Sequence, residues 1–84
     1  MTQTVSEMRN LGPVMARRLA EAGIETADDL RRLGAVEAYR RLRFHFGRVS
    51  LTALYAMDAA LHDRDWREVP DARKIDLKRM VAEG

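Results

Sequence analysis

The chain has no cysteine among its 84 residues. It therefore has no disulfide framework, no thiolate zinc site and no cysteine nucleophile. A core held by packing alone suits the cytoplasm. Proline occurs twice and glycine five times, so few positions interrupt a helix, while Ala, Leu, Arg and Glu are abundant. This balance favours helices over sheets. Long apolar runs are also missing: the longest, Leu51 to Leu61, is too short to cross a bilayer and contains Asp58. The first residues carry Glu7 and Arg9 without an apolar run, which is not the pattern of a secretory signal. What remains is 46% apolar and 33% charged, the composition of a globular chain. Surface scaling at this size predicts roughly 5,100 Å² exposed when folded against roughly 13,900 Å² unfolded. That supports one domain over residues 1–84 with one small core and little room for a deep substrate cleft.

The charge balance is a mild +2, but it is unevenly distributed. Residues 31–48 hold Arg31, Arg32, Arg40, Arg41, Arg43 and Arg48 against Glu37 alone. Arg accounts for 13 of the 15 cations, and its planar fork suits phosphates and carboxylates. Such a segment can attract nucleic acid or an acidic partner, or it can be a solvated helix face.

Punctuation divides the chain into five or six short helices. Val5 to Met8 form the first. Pro13 opens the second at the position where its missing N–H costs nothing, and Gly23 stops it after a face of Met15, Leu19 and Ala22. Thr26, with Asp29 three residues on, makes a capping box for a third helix that ends at Gly34. A fourth, from about Ala35 to Phe46, buries Ala35, Tyr39, Leu42 and Phe46. Ser50 caps a fifth, to Leu61, which is apolar nearly all round and should be central. Pro70 starts a peripheral last helix to about Glu83, its face made by Leu77, Met80 and Val81. No strand pattern appears, so the expected class is all-α.

A shift of 22 residues lays Arg9-Asn10-Leu11-Gly12-Pro13-Val14 over Arg31-Arg32-Leu33-Gly34-Ala35-Val36. The Leu-Gly pair falls at the same structural point twice, between one helix and the next. A glycine there permits a sharp turn with positive φ, and the helix N-terminus that follows offers unpaired N–H groups and a positive dipole end to a phosphate. Two short helices about a repeated Leu-Gly turn resemble a double helix-hairpin-helix, with hairpins at about 5–22 and 26–46 and packing helices at 50–61 and 70–83. That module places its turns against the sugar-phosphate backbone of DNA. Its usual glycine two residues before the turn glycine is replaced here by Asn10 and Arg32.

A second resemblance covers nearly the whole chain. Met8-Arg9-Asn10-Leu11-Gly12-Pro13, Gly23-Ile24, Asp29-Leu30 and Leu33-Gly34-Ala35-Val36-Glu37-Ala38-Tyr39 are similar to the C-terminal domain of the TfoX/Sxy competence regulators. So are Val49-Ser50-Leu51, Leu54-Tyr55-Ala56-Met57, Ala60-Leu61, Trp66, and Pro70 with Lys74. The resemblance implies a non-enzymatic bacterial regulatory domain linked to expression of DNA-uptake genes. Such regulators usually carry an N-terminal α/β domain, which these residues do not include, so a stand-alone homologue or a separated domain is expected.

Among single residues, Asp58 lies between apolar neighbours on the helical wheel and must be paired or hydrogen-bonded. Its partner could be a helix N-terminus, Trp66, a Tyr or an Arg. A metal shared with His62 is the sharper alternative, and no third ligand is evident. Phe44 points away from Tyr39, Leu42 and Phe46, and either covers the last helix or marks a contact surface. No carboxylate pair, nucleophile–base arrangement or phosphate loop is recognisable, and Ser6 and Ser50 read as helix caps. The expectation is no enzyme, no cofactor, no metal and no small-molecule substrate. Two functions remain. One is weak, sequence-independent contact with duplex DNA through Arg9, Gly12, Val14, Arg31, Arg32, Gly34, Ala35, Arg40 and Arg41, with Arg73 immaterial to it. The other is docking of a protein, either a TfoX N-terminal-type protein or a second copy, through Phe44, His45 and Arg48.

Overall fold

The computed structural model describes residues 4–8 and 10–83. Within them the chain is all-α, with four helices: α1 (Pro13–Glu21), α2 (Ala27–Phe46), α3 (Leu51–Leu61) and α4 (Asp71–Glu83). Two short 3₁₀ turns, Val5–Glu7 and Trp66–Glu68, precede α1 and α4. Four helices are fewer than the five or six that the punctuation predicts. Two causes account for the difference. The expected first helix is only a 3₁₀ turn, and the expected third and fourth follow each other without a loop as the two limbs of α2, whose helical conformation is interrupted at Gly34 (φ 82°, ψ 163°).

Local chemistry explains the boundaries. Pro13 stands at the first position of α1, and Gly23 (φ 89°) follows its end. The capping box forms as expected: the Asp29 N–H donates to Thr26 Oγ1 at 3.1 Å, and the Thr26 N–H donates to Asp29 Oδ2 at 3.2 Å. Ser50 occupies the N-cap position of α3, but its hydroxyl accepts no cap bond. Ser6 lies inside the first 3₁₀ turn and bonds Thr4, so it is not a cap.

α3 is the centre of the molecule. Ala53, Leu54, Ala56, Met57, Ala59 and Ala60 are all buried, and small alanines let α2 and α4 approach closely. Leu19 of α1, Leu30, Tyr39 and Leu42 of α2 and Leu77 and Val81 of α4 close the core. The Tyr39 hydroxyl donates to the Val49 carbonyl at 2.6 Å and ties the end of α2 to the start of α3. Phe46 is not part of this core. Residues 43–48 are all exposed, so the last turn of α2 overhangs the packed region, and the Phe46 ring lies 5.8 Å from the Arg18 guanidinium instead. On α4, Ile75 faces away from the buried side, as its helical position requires.

Candidate functional site

The two Leu-Gly turns are built differently. In the first, the positive φ belongs to Asn10 (72°), whereas Gly12 is extended (φ −94°, ψ −173°). In the second, Gly34 itself holds the positive φ and Arg32 stays helical. Asn10 also does something its sequence context does not reveal. Its Nδ2 donates to the Arg64 carbonyl at 2.5 Å, and its Oδ1 accepts from the Trp66 N–H at 3.1 Å, clamping the turn before α1 to the loop before α4.

Most cations of the basic third are engaged within the chain. Arg31 pairs with Asp28 at 3.0 Å, and Arg32 with Asp29. Arg41 Nε lies 3.6 Å from Glu37, and Arg40 Nη1 lies 3.8 Å from the same carboxylate. These are solvent-screened helix pairs at i,i+3 and i,i+4 spacing, which contribute little each. Arg40 is more firmly committed, because its Nη2 donates to the Met80 carbonyl at 2.5 Å, in the last turns of α4 where carbonyls lack helical partners. Arg9 lies outside the described residues. Gly12 and Val14 are exposed at the start of α1, whereas the Ala35 side chain is buried against the core.

The residues that the structure brings together come from both sequence-based sets. Arg40, Arg41, Phe44 and His45 line one groove of about 540 Å³ along the second limb of α2. Its other wall is Glu21 and Ala22, from the end of α1, with Glu37 at its head. Glu37, Arg41 and Phe44 follow helical spacing and so share one outward stripe. Phe44 is 94% exposed, which excludes a role in covering α4. The contribution of α1 is not legible in the sequence, because Glu21 and Ala22 reach the groove only through the packing of α1 on α2. Arg48 is exposed just beyond Gly47.

Asp58 is 5% exposed, and its partner is Arg73, whose Nη2 and Nε donate at 2.8 and 3.2 Å. The hydrogen bond to Asp58, then its charge, holds the Arg73 guanidinium above its ordinary range against the opposing effect of burial. Arg73 is therefore a structural residue and not the inert reference that its position outside the basic third implies. His62 Nδ1 faces the Asp58 carbonyl oxygen at 2.8 Å. Among the described residues no group of three potential ligands is placed to hold a metal ion, and no helix is long and apolar enough to cross a membrane.

Comparison with known proteins places this architecture. Two crystal structures from Listeria monocytogenes superpose on it closely. One, an uncharacterized protein in a triclinic form, is 32% identical with a TM-score of 0.87, covering 95% of this chain and 91% of its own. The other, a protein of unknown function in a tetragonal form, is 33% identical with a TM-score of 0.86, covering 93% and 96%. No curated protein matches. Residues 1–81 match the family of the TfoX C-terminal domain, and the chain belongs to that family.

Proposed function

We propose that this is a non-catalytic regulatory domain, acting in the bacterial cytoplasm on expression of DNA-uptake genes, and that it works by docking protein. The observation that carries the reading is Phe44: a large aromatic side chain almost fully in solvent, on a groove that also holds charges of both signs. Exposed aromatics of this kind are the usual anchors of protein interfaces. The finer architecture we infer is a double helix-hairpin-helix, the two limbs of α2 forming the second hairpin about Gly34.

Duplex DNA is the second reading. It is supported by the exposed Arg43 and Arg48, which make no ion pair among the described residues, and by the positive net charge. Against it stand the internal pairs of Arg31, Arg32 and Arg41 and the tie of Arg40 to α4. Fluorescence anisotropy with a mixed-sequence duplex separates the readings. Protein docking predicts no saturable binding at roughly 50 mM salt, where phosphate contacts are strong. Backbone binding predicts a log K that falls linearly with log salt, about −0.9 per phosphate neutralised. Under that outcome Arg31→Ala reduces the slope, with Arg79→Ala as the reference in place of Arg73→Ala. The docking reading itself is checked by titrating a TfoX N-terminal-type protein into wild type and Phe44→Ser, where loss of binding in the variant is expected.

A further inference from the structure

We infer that the occupant of the Phe44 groove is a second copy of the same chain, joined by a two-fold interface; this rests on the docking reading above. A two-fold interface needs a patch complementary to itself, because each residue that contacts a partner is contacted in return. This patch meets that condition. It carries a projecting knob, Phe44, beside a groove lined by Ala22, so each copy presents both the knob and the hollow. It also carries a carboxylate on the α1 side and cations on the α2 side.

Glu21 adds a second reason. It is the last residue of α1 and makes no ion pair among the described residues. A carboxylate at a helix C-terminus faces the negative end of the dipole and lacks local compensation. Arg41 across the groove holds Glu37 only at 3.6 Å, with both side chains nearly half exposed. An antiparallel approach of two α2 helices brings Glu21 of each copy to Arg41 of the other, with the two Phe44 rings between them. A purely acidic partner would leave Glu21 and Glu37 opposed, and a purely basic one would leave Arg40 and Arg41 opposed. A second copy satisfies both. The contact rests on one exposed aromatic side chain and a pair of exposed charges, so the dimer should be weak, with a Kd on the order of 100 µM.

Sedimentation equilibrium of the whole chain from roughly 10 µM to 1 mM spans that range. The expected result is a mass rising from 9.6 kDa towards twice that value. Phe44→Ser should weaken association by about tenfold or more, as loss of an aromatic anchor does. Glu21→Arg and Arg41→Glu should each weaken it alone, and an equimolar mixture of the two should recover it, which a folding defect could not produce. A wild type that stays monomeric at about 1 mM overturns the second copy, as does Phe44→Ser associating like wild type, or a mixture of charge variants that stays monomeric. None of those results bears on docking of the TfoX N-terminal-type protein, whose loss or retention in Phe44→Ser judges the broader reading by itself.

Discussion

Asp58 shows how far one residue can be read from sequence. A carboxylate inside an apolar helix has to be paired, and the helical wheel places it on the buried side, where the structure has it. Its partner is one of several open choices in the sequence, because Arg73 reaches it from α4 and nothing in the linear order singles out that helix. The pair is asymmetric: the Asp58 side chain is 7% exposed and that of Arg73 is 41%. Removing Arg73 strands a buried carboxylate, whereas removing Asp58 leaves a guanidinium that water can reach. Urea unfolding should therefore find Arg73→Ala costing about 2–4 kcal/mol and Asp58→Ala about 1–2 kcal/mol, less than the full penalty of a fully buried pair. The reverse order would show that the stranded carboxylate does not govern the cost. Asp29 gives the corresponding statement about pH. Hydrogen bonds from the backbone N–H groups of Glu25 and Thr26 hold its carboxyl below the ordinary 3.8, helped by the Thr26 hydroxyl and Arg32 and opposed by burial. A depressed carboxylate contributes stability that is complete above its unfolded value and is lost as pH falls through its folded one. Asp29→Asn should accordingly make unfolding less dependent on pH below 3.8, as read by circular dichroism over an acid titration.

At the scale of elements, caps and faces are more legible in the sequence than the number of helices. Thr26, Pro13 and Gly23 mark ends that the structure keeps, because each acts through its own backbone or a partner three residues away. The helix count overshoots because the first expected helix is only a 3₁₀ turn and because the third and fourth follow each other directly as limbs of α2; the helical conformation does break at Gly34, where the sequence puts the stop. The repeat misleads in a related way: Gly12 and Gly34 align in sequence but differ in φ by sign. This difference is testable. Gly34 occupies φ 82°, ψ 163°, a region open essentially to glycine, and an added Cβ would meet nothing within 4 Å. Gly34→Ala should cost about 1–3 kcal/mol through backbone strain alone. Gly12 is extended, with equal space around it, and stands at the N-cap of α1, where Ser ranks slightly above Gly. Thermal unfolding should show Gly12→Ser within about 0.5 kcal/mol of wild type.

For the whole molecule, size and composition are enough to set the scale of the fold. The accessible surface of 5362 Å² is close to the roughly 5,100 Å² that scaling predicts, and the Cα radius of gyration is 11.7 Å against about 12 Å for 84 residues. Function is less legible. Counting Arg residues points to a basic third, but folding pairs much of it with Asp28, Asp29 and Glu37, each three or four residues away on the same helix. Phe44 stands out because its helical position conflicts with its chemistry, while the groove beside it needs the packing of α1 on α2. The central claim is that this face of α2, and not the Leu-Gly turns, is the working surface. Backbone amide shifts of the ¹⁵N-labelled chain, followed from roughly 20 µM to 1 mM, test it most directly. The account predicts concentration-dependent shifts confined to Glu21, Ala22 and the stretch from Glu37 to Arg48. Shifts centred on Gly12 and Gly34 would contradict it, and none at all would overturn the second copy as the occupant of that face.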